Sequence, residues 1–186
     1  YPGLVGLRLF QCYRAMVRAK VAALSSPDGQ QGSAMDYLRL ADRYTRTVSP
    51  RLWQMGGLSG SGKSTRALEL VMEQGCLRIR SDVERKRLYG IDPGQSAQAA
   101  PGEGLYGPEA GRRTYDRLLQ LADTCLSAGW SVVIDAASLR RGERQRMQAL
   151  ARFRGCPWTL LWCDAEPSEL RRRIRQRALQ GQDPSD

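Results

Sequence analysis

The run Gly57-Leu58-Ser59-Gly60-Ser61-Gly62-Lys63-Ser64 constrains this chain more than any other feature, because it is useful in only one local setting. The pattern G-x-x-x-x-G-K-[ST] places glycines where the backbone curls, so that successive N–H groups converge on one anion. It also needs a helix opening directly behind the loop, whose positive end adds to the field. Both flanks meet that demand. Leu52-Trp53-Gln54-Met55 reads as a short strand feeding the loop. Ser64 to Gln74 reads as a helix with Leu68, Val71 and Met72 on its inner face and Gly75 as its stop. The expectation is a phosphate cradle over Gly57–Ser64, with Lys63 on the β- and γ-phosphates and the Ser64 hydroxyl placed for Mg2+, so that ATP and Mg2+ are the implied cofactors. A Gly/Ser-rich turn without a ligand is the competing reading.

Downstream, strand and helix signals alternate. Leu77-Arg78-Ile79-Arg80 reads as a second strand ending at Ser81-Asp82, with a Val83–Leu88 helix behind it. Ile91 to Gly107, rich in Gly, Pro, Gln and Ala, reads as a mobile loop. A long helix is expected from Pro108 to about Ala128, marked by Tyr115, Leu118, Leu119, Ala122 and Leu126. Ser131-Val132-Val133-Ile134 then runs into Asp135 as a third strand. Arg141–Phe153 is a helix, Thr159–Cys163 a fourth strand, and Pro167 opens a last helix over Ser168–Leu179. This alternation predicts an α/β fold of the P-loop NTPase kind: three layers, a parallel four-stranded sheet between helices, and ligands at the strands' carboxyl ends.

Residues 1–48 differ in kind from 51–186. Leu9, Tyr13, Met16, Val17, Val21 and Leu24 recur at helical spacing until Ser25-Ser26-Pro27-Asp28-Gly29. A second amphipathic stretch carries Met35, Leu38, Tyr44 and Val48. Two such helices cannot make a core alone, so they are expected to pack on the later domain or on something outside this chain. The chain starts at Tyr1 and stops at Asp-Pro-Ser-Asp, which suggests a piece of a longer protein.

Composition narrows the function. The net charge of +10 invites a nucleic-acid partner. Yet only three of the 29 basic residues are lysines (Lys20, Lys63, Lys86), so the excess reads as a compositional habit for arginine. There is no histidine, which removes imidazole bases and His-ligated metals. Five cysteines with no C-x-x-C pair suggest buried free thiols in a reducing cytoplasm. No apolar run reaches 18 residues, so no membrane span is expected.

Three further groups carry chemistry. Asp135 ends an apolar strand, where a P-loop domain's second carboxylate holds Mg2+ directly or through water; the competing role is an N-cap. Asp82, ending the second strand, can accept the proton of an attacking hydroxyl, and Arg85 one turn later can hold an anionic or polar acceptor; Asp82 too could be an N-cap. Arg173 and Arg177 share a helix face and could bring positive charge over the γ-phosphate, or simply line a solvated surface. Arg140, Arg141 and Arg144 are weaker candidates of the same kind.

The stretch from Met55 to Asp186 resembles the small P-loop kinase domain of bacterial bifunctional aminoglycoside phosphotransferase/ATP-binding proteins. The resemblance rests on Gly-Gly-Leu-Ser-Gly-Ser-Gly-Lys-Ser-Thr, which adds Thr65 to the cradle, and on Arg-Ser-Asp-Val-Glu-Arg-Lys-Arg and Arg-Arg-Thr-Tyr. Val-Val-Ile-Asp-Ala, Leu-Arg-Arg-Gly-Glu-Arg and the closing Asp-Pro-Ser-Asp complete it. It implies a phosphotransferase-like domain ahead of the kinase, with 1–48 as that domain's last helices, and a final strand of the sheet beyond Asp186. The kinase part is also similar to the polynucleotide kinase and zeta-toxin group, which implies Asp82 as the base, Arg85 as an acceptor contact, and Arg173 or Arg177 as the lid arginine. The leading expectation is an ATP-dependent kinase acting on a hydroxyl of a small molecule. A polynucleotide 5′-hydroxyl kinase and a nucleotide-sensing regulatory module are the alternatives.

Overall fold

The computed structural model describes residues 3–25, 31–46, 49–92 and 107–179, the side chains of 31, 32 and 177–179 excepted. The expected loop from Ile91 to Gly107 therefore falls almost wholly outside the described residues. The chain divides into two compact units, Tyr1–Ser49 and Pro50–Asp186.

The first unit is a helical hairpin of α1 (Leu4–Ser25) and α2 (Gln31–Thr45). Its contact is made by small residues: Ala15, Ala19 and Ala41 are buried, which lets the two backbones approach closely. Arg8 Nη1 donates to the Arg46 carbonyl just past α2, at 3.1 Å. Within the hairpin the bulky face is not the packed one. Leu9, Tyr13, Met16, Val17, Val21 and Leu24 are exposed, as are Met35 and Leu38. Spacing identified an apolar stripe correctly, but the closest packing follows the neighbouring alanine stripe.

The second unit runs β1 (Leu52–Gly56), α3 (Lys63–Gln74), β2 (Leu77–Arg80), α4 (Ser81–Leu88), α5 (Pro108–Ser127), β3 (Val132–Asp135), α6 (Arg141–Phe153), β4 (Trp158–Trp162) and α7 (Pro167–Leu179). The four strands form one parallel sheet in the order β2-β3-β1-β4. Every residue of β1 and β3 is buried, as strands covered on both faces require. Trp53, Met55 and Val133 point to one face and pack with Ala67, Leu70 and Cys76 beneath α3. Leu52, Gln54 and Ile134 point to the other by the two-residue alternation, where α5 and α6 lie against the sheet.

Two expectations are corrected. The inner face of α3 is Ala67, Leu70 and Val71, whereas Leu68 and Met72 are exposed. The helix leaves the loop one residue earlier than expected, and its phase is set at Gly62, whose φ of +92° only glycine adopts readily. Likewise α4 begins at Ser81 rather than Val83, so strand β2 passes into helix with no linker.

Candidate active site

The site grows from the end of β1. Gly57 must turn the chain where β4 closes over it: its φ is +129°, and a Cβ there would run into the carbonyl oxygen of Cys163. The Gly57 N–H donates to the Ala137 carbonyl at 2.9 Å, and the Cys163 N–H donates to the Gly56 carbonyl at 2.8 Å. The loops after β1, β3 and β4 are thus joined to one another. Within the cradle, Lys63 Nζ donates to the Leu58 carbonyl at 2.6 Å, folding the ammonium back over its own loop. Ser61 is buried, and among the described residues its hydroxyl has no hydrogen-bond partner. A buried hydroxyl left without a partner costs stability, and an oxyanion in the cradle would satisfy it.

Ser59, Lys63 and Ser64 of the loop line a cavity of about 130 Å3 together with Ser81, Asp82, Arg85, Tyr115, Asp135, Ala136 and Ala137. The sequence-derived candidates Lys63, Ser64, Asp82, Arg85 and Asp135 thus share one pocket at the strands' carboxyl ends. β2 does not lie next to β1; β3 separates them. Asp82 reaches the pocket because α4 starts immediately at the strand end.

Both carboxylates are held by arginines of β2. Arg78 donates to Asp135 Oδ2 from Nε at 3.0 Å and from Nη2 as well. Arg80 Nη2 donates to Asp82 Oδ2 at 2.7 Å. The N-cap alternatives for these acids fall away: Arg80 occupies the cap position of α4 and Arg140 that of α6. Asp82 instead sits in the first turn of α4, where the helix field favours negative charge.

Arg173 lies over the loop, donating from Nη1 to the Gly60 carbonyl at 3.0 Å and from Nε to Glu169 at 2.7 Å. Arg172, the larger cause, and Arg173 together hold Glu169 down to about 2. The side chain of Arg177 lies outside the described residues. Arg144, one of the weaker candidates, donates to the carbonyls of Ser138 and Leu139 at 2.8 and 2.7 Å and lies over the Trp162 ring. Arg140 and Arg141 are exposed. Thr65, at the start of α3, is exposed.

Sequence reasoning missed Tyr115 as a site residue, taking it only as part of a packing face. Its ring lines the pocket, and its phenol oxygen accepts from the Ser138 N–H at 2.8 Å. Burial first, and the Glu143 carboxylate second, push this phenol up to about 12, so it stays protonated.

A phosphate-binding loop at the end of a central parallel strand, with a lysine and two carboxylates facing it, defines a P-loop kinase-like domain. Comparison with known proteins agrees. Residues 52–186 match the AAA domain family AAA_33, and the chain belongs to that family. The uncharacterized protein Rv2004c of Mycobacterium tuberculosis is 30% identical over 153 residues, 76% of this chain, and the chain spans 31% of that relative's length. Among solved structures, a Chloroflexus aurantiacus "putative kinase" superposes with a TM-score of 0.58 at 20% identity, covering 72% of this chain and 69% of that one. The Mycobacterium tuberculosis APS kinase CysC, in complex with AMPPNP and APS, gives 0.53 at 20% identity, over 71% and 72% of the two chains. The Pnkp1/Rnl/Hen1 complex gives 0.52 at 22% identity, over 67% and 38%.

Proposed function

We propose that this chain is an ATP-dependent kinase that transfers the γ-phosphoryl group to a hydroxyl of a small-molecule acceptor. The observation that carries the reading is the convergence of Lys63, Asp82, Arg85 and Asp135 in one pocket. The residues fit the nucleotide: Ser61, within the loop, carries a buried hydroxyl without a partner among the described residues, and the amino end of α3 opens directly behind the loop. Among the described residues no three His, Cys, Asp or Glu side chains cluster. Ser64 and Asp135 therefore suit a Mg2+ that arrives with phosphate oxygens of its own, as this ion commonly does. When bound, that ion would neutralise charge on the β- and γ-phosphates.

The chain's own residues divide the work. Gly57–Thr65 hold the phosphates, and Lys63 exchanges the Leu58 carbonyl for phosphate oxygens. Arg85 holds the acceptor, and Asp82 takes the hydroxyl proton as the new P–O bond forms and ADP leaves. Arg173, parked on the Gly60 carbonyl, is the lid arginine that moves onto the transferring group. We place this activity in the cytoplasm, where a kinase has its ATP. Separately, among the described residues no helix is long and apolar enough to cross a membrane. On the resemblance given above, and in keeping with the helical hairpin's being a separate unit, we assign residues 1–48 to an aminoglycoside-phosphotransferase-like domain of a longer bifunctional protein.

Labelled ATP incubated with a panel of alcohols, sugars, aminoglycosides and 5′-hydroxyl oligonucleotides tests the reading. Transfer to a small molecule, lowered 10²–10⁴-fold in Asp82→Asn with ATP binding retained, is expected. Preferential labelling of the oligonucleotide would favour the polynucleotide reading. Binding without transfer, in the full-length protein as well, would favour a nucleotide sensor.

A further inference from the structure

Strand β2 alternates Leu77-Arg78-Ile79-Arg80, with Ile79 in the core and the two arginines on the opposite face. Side chains two positions apart on a strand share a face about 6.6 Å apart, so the pair presents two guanidiniums along one edge of the site. The register puts Arg78 opposite Val133 and Arg80 opposite Asp135. Arg80 turns away from its direct partner to Asp82, and Arg78 reaches diagonally to Asp135. Each of the pocket's two acids therefore has its own arginine.

The Arg78–Asp135 pair has the stronger consequence. Asp135 has only 5% of its side chain exposed and Arg78 only 20%, so water screens the pair weakly. Both donors of Arg78 go to the same oxygen, Oδ2, which takes that oxygen from any metal and sets a full positive charge beside it. We propose that Arg78 is a positioning residue that sets the metal affinity of this site: it holds Asp135 so that a divalent cation is not retained by the empty pocket and enters only with nucleotide phosphates. The advantage is order of binding. A pocket holding its own cation would present a different charge to incoming ATP, whereas an Asp135 paired with Arg78 leaves Lys63 and the cradle to select the loaded nucleotide.

The inference rests on the pocket being a metal–nucleotide site, and the experiment separates the two. Mn2+ is titrated by calorimetry into the nucleotide-free protein and, separately, into protein saturated with ADP. Wild type should bind Mn2+ weakly alone and more tightly with ADP. Arg78→Gln should gain affinity for Mn2+ alone by roughly tenfold, the scale on which one adjacent opposite charge acts. The double variant Arg78→Gln/Asp135→Asn should lose that gain, and Arg78→Lys, which keeps the charge, should behave as wild type. A merely structural role for Arg78 cannot raise affinity. Unchanged or weaker Mn2+ binding in Arg78→Gln would overturn the proposal, as would a gain that survives Asp135→Asn or appears equally in Arg80→Gln. If wild type binds no ADP while the Arg78→Gln gain appears, the nucleotide reading fails and the role of Arg78 stands.

Discussion

Gln54 Nε2 donates to Ser138 Oγ at 3.0 Å, a hydrogen bond between two fully buried side chains 84 residues apart. The same amide accepts from Trp158 Nε1 at 3.2 Å, so one side chain ties β1 to β4 and to the loop after β3. Ser138 needs this support, because its φ is +47°, a conformation that costs a non-glycine residue about 1–3 kcal/mol. Its N–H is taken by Tyr115 and its carbonyl by Arg144. One residue earlier, the Ala137 carbonyl receives the Gly57 N–H, so the strained loop fixes where the phosphate loop begins. Gln54→Leu should leave the Ser138 hydroxyl and the Trp158 indole without partners and lower stability by about 2–4 kcal/mol. Urea unfolding of the two proteins checks this, and an unchanged midpoint would show that the network contributes nothing.

At Gly57 the expected damage is local to binding. An alanine there meets both the positive φ and the Cys163 carbonyl, which is backbone and cannot swing away. The loop must shift, moving Lys63 and the amino end of α3 with it. Gly57→Ala is expected to weaken ATP binding at least tenfold, by the logic that small misplacements of positioning groups are costly. Calorimetry against Lys63→Ala gives the comparison; a Gly57→Ala affinity equal to wild type would mean that the cradle tolerates movement.

Much of this arrangement was legible in the chain itself, for a physical reason. A glycine-rich loop that must follow a strand and open a helix fixes its own surroundings, and buried parallel strands announce themselves as apolar runs ending in acids. That signal puts Lys63, Ser64 and Asp135 at the strands' carboxyl ends, where they line one pocket, and Asp82 is placed there by the end of the charged strand β2. The partners of those acids were not legible. Arg78 and Arg80 were visible as alternate residues of a strand, and charge on a strand of a parallel sheet is itself a signal, but which acid each one meets depends on strand order. That order, with β3 between β2 and β1, is a long-range property that local pattern does not encode. Tyr115 was hidden for a similar reason: its spacing marks a packing face, and only the fold brings Ser138 to its hydroxyl. In α1, periodicity marked the bulky stripe, while contact distance selected the alanines.

Thiol chemistry offers an independent check on the core. Burial raises Cys76 and Cys125 to about 11 each, well above their ordinary value. Only the thiolate reacts, so at pH 8 these two should resist a disulfide reagent in the native protein and react fully in denaturant. Mass spectrometry after a timed quench identifies the modified positions. Rapid native labelling of Cys125, which is 0% exposed on α5, would contradict the packing of that helix on the sheet.

The Glu169 contact makes a pH prediction with a definite sign. Arg172 and Arg173 hold this carboxylate near 2 in the folded protein, against an ordinary 4.5 when the chain is unfolded. A depressed folded value means that the unfolded chain takes up the proton first. The stabilisation is therefore complete above about pH 4.5 and is lost progressively as pH falls toward 2. Thermal unfolding of wild type and Glu169→Gln should differ at neutral pH, with the variant less stable, and the two curves should converge across that acid window. Salt should also shrink the difference, since the pairs are partly exposed. The same substitution frees Arg173 from one of its two anchors, leaving the Gly60 carbonyl. ATP affinity measured alongside would then report whether Glu169 restrains Arg173: tighter binding in Glu169→Gln is expected, and weaker binding would show that the glutamate instead holds Arg173 where ATP needs it.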